Sequence, residues 1–359
     1  MTISLCMIVR DEEDILARCL DSVKGLVNEI IIVDTGSKDH TKDIARRYTS
    51  RVYDFTWIDD FAAARNFAFS KARMDYAMWL DADDVILPPD RGDFLRLTLG
   101  MSPDIDTVMM KYVTGVDVQG NPTFSYYRER LLKTSLHPQW QGAVHEVIPP
   151  MGKILYSDVA ITHKKVRPSD PDRNLHIFEQ MLKQGSSLDP RQQFYYGREL
   201  YYHNRYQEAV QVLDQFLDSG QGWVENNIEA CLQLAQCYDA LHQPQKSLDA
   251  LFCSFQFDCP RAEVCCAIGS RFMESGRYKQ AVYWYEAATR CTRNDKGGGF
   301  IQPDCYHYIP YLQLCVCYDR LGQHETAWAY NQKAALIKPD DPSVQQNQVY
   351  FKQVLGKME

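Results

Sequence analysis

The sequence predicts an α/β domain on a mostly parallel, Rossmann-like sheet, followed by an all-helical solenoid. Three observations carry this. Through residue 85, short apolar runs alternate with segments of helical period. Thr107–Val118 and Thr123–Lys133 are two β-rich runs with no helix between them. Beyond Pro171 the chain turns helical and repeats itself. A length of 359 residues suits two domains. Hydrophobic content of 45% and charged content of 24% are ordinary for a globular protein. A net charge of −8 disfavours broad binding to nucleic acid or anionic membrane.

The first strand is expected at Ile3–Val9, where charges follow too early for a helical period or a secretion signal. No run reaches the length of a membrane-spanning helix. Ile15, Leu16, Cys19, Leu20 and Val23 recur at helical spacing, with Gly25 suited to the helix end. Glu29–Val33 reads as the second strand. Gly36 then permits a sharp turn, and Ser37 is expected to cap the helix through Ile44 and Ala45. Val52–Phe55 reads as a third strand. Asp59 or Asp60 caps a helix carrying Phe61, Ala64, Phe67 and Ala68, and Tyr76–Leu80 is the fourth strand.

That fourth strand runs straight into Asp81, Asp83 and Asp84. Carboxylates so close repel one another, and a divalent cation with oxygen ligands relieves them. Such a cation would bridge the protein to a diphosphate. In parallel sheets ligands bind beyond the carboxyl ends of the strands. Val9-Arg10, Asp34 and Asp81–Asp84 all fall there. An Asp in such a place accepts hydrogen bonds from an imide N–H or a ribose hydroxyl. Arg65, on the helix before the acidic strand, is placed to face a phosphate. The Gly-rich fingerprints of dinucleotide-binding and P-loop sites are absent from the sequence.

Ile3–Arg10, Val33-Asp34-Thr-Gly-Ser-Lys-Asp-His-Thr41, Ala64-Arg65-Asn66 and Leu80-Asp81-Ala-Asp-Asp84 resemble glycosyltransferase family 2, which has the GT-A fold. The resemblance runs to about Lys165. It implies a nucleoside-diphosphate sugar donor, usually a UDP-sugar, and a divalent metal, usually Mn2+ with Mg2+ as the alternative. It assigns the nucleotide-sugar to Val9, Arg10, Asp34, Arg65 and Asp81. Asp83 becomes a metal ligand, and Asp84 a third ligand or a support. His163, after the apolar run Ile154–Ile161, matches a late histidine that returns to the metal. Lys164-Lys165 stands where this branch carries an aromatic and a glycine, so that match is imperfect; these lysines also suit a phosphate.

The segment His137-Pro-Gln-Trp140-Gln-Gly142-Ala-Val-His145-Glu146 holds further candidates. Trp140 offers a flat face for a sugar ring or acceptor. An inverting transfer needs a general base for the incoming hydroxyl or thiol. Glu146 is assigned that role, with His145 as the alternate. On a strand the two would point to opposite faces.

Pro168-Ser-Asp-Pro171 punctuates the chain, giving a catalytic domain at 1–167, a linker at 168–190 and a helical domain at 191–359. Arg205-Tyr206-Gln-Glu-Ala209, Gln243-Pro244-Gln-Lys-Ser247, Arg277-Tyr278-Lys-Gln-Ala281 and Gln323-His324-Glu-Thr-Ala327 are mutually similar. They resemble tetratricopeptide repeats, about four units with a final capping helix, and Asn294–Gly299 as a loop insertion. Such arrays bind peptides, self-associate into homodimers or buttress a neighbouring domain. The twelve cysteines form no Cys-x-x-Cys pair and read as reduced thiols of a cytoplasmic protein.

A family 2 domain joined to such repeats resembles bacterial peptide and protein glycosyltransferases. That implies transfer of a hexose or N-acetylhexosamine to Ser, Thr or Cys of a polypeptide. A transferase building a cell-surface or secreted glycan is the second reading. A tetratricopeptide scaffold with an inactive nucleotide-sugar domain is the third.

Overall fold

A computed structural model describes residues 1–116, 122–166 and 170–356. They form two compact units, Met1–Ser187 and Leu188–Glu359. The expected turn at Gln119–Pro122 and the break at Pro168–Pro171 centre on residues outside the described set.

The first unit is built on one eight-stranded sheet. Strands β1 (Ile3–Val9), β2 (Glu29–Asp34), β3 (Val52–Asp54) and β4 (Tyr76–Trp79) run parallel in the order β3-β2-β1-β4. Helices α1 (Leu16–Ser22), α2 (Thr41–Arg46) and α3 (Phe61–Phe69) connect them. The strands are apolar because both faces are covered. Leu5, Met7 and Met78 pack to one side with Leu16, Leu20 and Phe94. Cys6, Ile31 and Trp79 pack to the other with Ala68 and Phe69. Each fully buried aliphatic chain contributes about 1.5–3 kcal/mol.

Asp60, of the two candidates, caps α3, its side chain accepting from the Ala63 N–H at 2.9 Å. Ser37 does not cap α2. Its hydroxyl accepts from the Asp11 N–H, and Asp39 receives the N–H of Thr41 instead. The N-cap position itself is His40, whose side chain makes no capping hydrogen bond.

Beyond β4 lie β5 (Asp84–Val85), α4 (Pro88–Gly100), β6 (Thr107–Val116), β7 (Pro122–Lys133) and β8 (Ile154–His163). Pro88-Pro89 opens α4, where proline is tolerated because the first helical N–H groups have no intrahelical partner. The expected antiparallel pair, β6 and β7, joins the main sheet. β7 pairs antiparallel with β4, β6 with β7, and β8 runs parallel to β6. β5 closes the far edge against β8. Helix α5 (Arg173–Lys183) ends this unit.

The second unit stacks helix pairs: α6 (Pro190–Tyr202) with α7 (Tyr206–Asp218), α8 (Val224–Ala240) with α9 (Pro244–Cys253), α10 (Ala262–Glu274) with α11 (Tyr278–Arg290), and α12 (Tyr308–Arg320) with α13 (His324–Ile337). Helix α14 (Pro342–Val354) packs on α13. The same turn recurs in every pair. Asn204, His242, Gly276 and Gly322 sit in the left-handed region at φ 59°, 57°, 73° and 76°. The next N–H, from Arg205, Gln243, Arg277 or Gln323, reaches back to Leu200, Tyr238, Phe272 or Tyr318 at 2.8–2.9 Å. This Schellman closure satisfies carbonyls at the helix end. Ala209, Ser247, Ala281 and Ala327 are fully buried one turn later, where only a small side chain lets the paired helices close. Among the described residues no helix is long and apolar enough to cross a membrane.

Candidate active site

The carboxyl ends of β1, β2 and β4 form one rim. The loops after β1 and β2 are stitched together: the Asp11 N–H donates to Ser37 Oγ, and Glu12 N–H to Thr41 Oγ1. Asp34 ends β2 and is 2% exposed. Its Oδ1 accepts from the N–H groups of Gly36 and Ser37 at 3.0 and 2.9 Å. Its Oδ2 is buried with no hydrogen-bond partner, a cost that a bound N–H or O–H donor would remove. The Val9 carbonyl is engaged by Thr35, while Arg10 is exposed beside Asp11.

Arg65 is the keystone on the other side. It is 7% exposed, on α3. Its Nη2 donates to Asp81 Oδ1 at 2.8 Å and its Nε to Glu146 Oε1 at 2.7 Å. The guanidinium lies 5.1 Å from the Trp79 ring centre and 4.8 Å from that of Trp140. Burial disfavours charge on both Arg65 and Asp81, yet their attraction wins. It holds the Asp81 carboxyl below its ordinary range and raises the Arg65 pKa.

Trp140 is therefore not a sugar platform. It is 3% exposed and packs edge-on against Trp79 and Phe69. Its backbone and the Asn66 side-chain amide exchange two hydrogen bonds, at 2.8 and 3.0 Å. A Trp near a glycine reads the same whether it faces a sugar or fills a core, and here the Arg65 stack needed a floor. His145 and Glu146 do not lie on a strand either. Gln141 and Val147 bridge across a tight loop, in which Gly142 and His145 have φ 91° and 51°. The loop is held to α3 by the Phe61 N–H donating to Ala143 O. It delivers Glu146 to Arg65.

The third cluster is Asp83, Asp84 and His163, whose candidate ligand atoms all lie within 4.8 Å of one another. β5 pairing with β8 sets Asp84 opposite His163. His163 Nδ1 is 3.3 Å from Asp83 Oδ1 and 3.4 Å from Asp84 Oδ1. Hydrogen bonds to the two carboxylates push its pKa up to about 10. Asp84 is fully buried and saturated. Its Oδ1 accepts from the Tyr112 hydroxyl at 2.9 Å, and its Oδ2 from Arg130 Nη1 and the Asp81 N–H, both at 3.1 Å. The Tyr112 hydroxyl is also 3.0 Å from His163 Nδ1.

Oxygen and imidazole donors on partly exposed Asp83 and His163, backed by a fixed Asp84, suit a divalent cation of the Mn2+ or Mg2+ type. The residues fit a metal, with Asp83 and His163 as the accessible ligands.

Sequence reading missed Tyr112, Arg128 and Arg130. Arg130 is fully buried, 3.7 Å from the Trp79 ring centre, and Arg128 lies 4.8 Å from it. The available signal was the charged alternation Arg128-Glu129-Arg130 inside an otherwise β-rich run.

The mostly parallel strands β1–β4 thus carry a rim of acidic side chains beside a buried arginine. Residues 4–148 match the family described as glycosyl transferase family 2. The chain is 27% identical over 234 residues to the SPbeta prophage-derived glycosyltransferase SunS of Bacillus subtilis, covering 61% of this chain and 54% of that protein. It is 49% identical over 85 residues to a TPR repeat-containing protein of Synechococcus elongatus, covering 24% of this chain and 21% of that one. The chain thus spans about half or less of these relatives. A solved structure of YrrB, described as a TPR protein with an unusual peptide-binding site, is similar over 50% of this chain and 83% of its own, at 20% identity and TM-score 0.38.

Proposed function

We infer that the protein is an inverting, metal-dependent glycosyltransferase that moves a hexose or N-acetylhexosamine from a UDP-sugar to a Ser, Thr or Cys side chain of a polypeptide. The observation that carries the reading is the gathering of Asp83, Asp84 and His163 beside Asp81, at the strand ends. Asp34 stands two strands away, about 10 Å at ordinary strand spacing, which suits a nucleoside laid across the rim. Its unpaired Oδ2 accepts the imide N–H of uracil. Asp81 meets the ribose, and the backbone at Val9-Arg10 lines the base.

Asp83 and His163 would hold the cation, which when bound neutralises charge on the diphosphate. Arg65 and Arg128 add fixed positive charge near the leaving group. Glu146 takes the proton from the acceptor hydroxyl or thiol as its oxygen or sulfur attacks the anomeric carbon, with His145 as the alternate base. The bond from that carbon to the diphosphate oxygen breaks on the opposite face, and UDP departs. The Arg65 contact holds the Glu146 carboxylate in place.

The polypeptide acceptor rests on the likeness to SunS and on the repeat array, whose stacked helices suit an extended peptide or a second copy of the chain. The twelve free cysteines suit a reducing compartment such as the cytoplasm. The test is a donor screen by thermal shift with Mn2+, followed by mass spectrometry of candidate peptides incubated with the stabilising donor. A gain of one hexose or acetylhexosamine on Ser, Thr or Cys is expected. Donor turnover without any peptide gain would point to a glycan acceptor.

A further inference from the structure

Residues 291–302 interrupt the repeat pattern between α11 and a 3-10 turn at Pro303–Tyr306. About a dozen residues without helix or strand is long for a connection inside a compact domain, and such loops usually bind or cover something. This one crosses the first helices of three successive pairs. The Phe300 ring lies 6.0 Å from the Phe194 ring of α6, and the Arg198 guanidinium stands 4.7 Å from the centre of Phe300. A side chain on Gly299 would collide with Glu225 of α8, so the backbone sits directly on that helix. The Gln302 N–H donates to Glu263 of α10 at 2.7 Å.

An aromatic anchor, a backbone laid against a helix and a main-chain N–H held by a side chain are how an extended peptide sits on a helical array. The hold is light. The Gly297 and Ile301 N–H groups donate to Asn294 and Gly299, within the segment itself. Gly297-Gly-Gly299 gives the backbone freedom just before the anchor, with Gly298 at φ 73°. A cavity of about 480 Å³ remains beside Phe300, lined by Ile228, Glu229, Leu232 and Tyr306. The segment thus covers the face without filling it.

We propose that the face formed by α6, α8 and α10 is a docking site for an extended peptide with an aromatic residue after small ones, and that residues 292–301 occupy it as a tethered, displaceable stand-in. The occupant defines the partner's chemistry. Phe300 marks the aromatic slot between Phe194 and Arg198. Gly298 and Gly299 mark where only a slim backbone passes Trp223 and Glu225. The cavity beside them takes a further apolar side chain. Tethering gives the segment an effective concentration of about millimolar order, so weak partners are kept out and a tight one opens the face. The site lies within the helical domain and stands whether or not the first domain transfers a sugar.

The test uses the full chain and a synthetic peptide of its residues 297–304, Gly-Gly-Gly-Phe-Ile-Gln-Pro-Asp, which holds no trypsin site. Millimolar peptide should speed tryptic cleavage at exposed Arg293 and Lys296 several-fold in wild type, by keeping the segment off its seat. The same peptide with alanine for phenylalanine should not. Fluorescein-labelled peptide should bind Phe300→Ala about 10-fold or more tightly than wild type, because the tethered competitor is weakened. Gly299→Asp, which sets a second carboxylate against Glu225, should do the same. The wild-type cleavage assay needs no variant, so a misfolded mutant cannot hide the answer. Unchanged cleavage in wild type, or equal acceleration by the alanine peptide, would overturn the proposal. So would equal peptide affinity in wild type and both folded variants.

Discussion

Arg130 donates to Asp84 at 3.1 Å where neither side chain meets solvent. Each is then the other's main compensation for burial. Arg130 comes from β7 and Asp84 from β5, strands separated in the sheet by β6 and β8. The pair ties the acidic turn after β4 to the antiparallel half of the domain.

Arg130→Met keeps the stem against Trp79 and strands the Asp84 charge. Breaking a buried pair from one side costs about 3–5 kcal/mol. Urea unfolding of the variant should show a loss of that order, with Asp84→Asn/Arg130→Met less impaired than the sum of the single changes.

Tyr112→Phe removes one hydroxyl that touches both Asp84 and His163. Partners behind metal ligands typically account for about 10–100-fold in affinity. Mn2+ affinity measured by calorimetry should fall in that range, while the Tyr112 ring keeps its edge contact with Tyr126. Unchanged affinity would remove Tyr112 from the metal site's support.

Arg65→Lys should be nearly as damaging as Arg65→Ala. An ammonium cannot serve Asp81 and Glu146 from two directions while stacking on Trp79 and Trp140. Loss of a charge-stabilising donor lowers turnover by about 10²–10³-fold. Glu146→Gln should lower kcat by about 10²–10⁴-fold with KM little changed, as expected for a lost base. A pure loss of stability would instead leave kcat per folded molecule intact.

Glu229, in α8, has its pKa raised to about 7, chiefly by burial and opposed by Arg198. The folded chain therefore keeps this proton up to about pH 7, whereas the unfolded chain releases it near 4.5. Between those values folding takes up a proton, so stability falls as pH rises and levels off above 7. Urea midpoints of wild type and Glu229→Gln should converge near pH 4.5 and separate towards pH 8, with the variant more stable there.

Much of the first domain was legible because local pattern decided it. The β4 run is apolar since both sheet faces are packed, and it stops at Asp81 because the rim begins there. Asp83 and His163 were paired from the sequence through resemblance, and the β5–β8 ladder brings them together. Trp140 was misread because burial is not written in residue type. Tyr112 and Arg130 were missed for a different reason. Their roles depend on β7 inserting beside β4, a pairing across some fifty residues that no local period encodes.

The most direct measurement is calorimetric titration of UDP into wild type and Asp83→Ala, each with Mn2+ and with chelator. Binding is expected in wild type with Mn2+, and a loss of about 10-fold or more on chelation or in the variant. Equal UDP affinity in all four conditions would contradict a cation held by Asp83 and His163 at the strand ends.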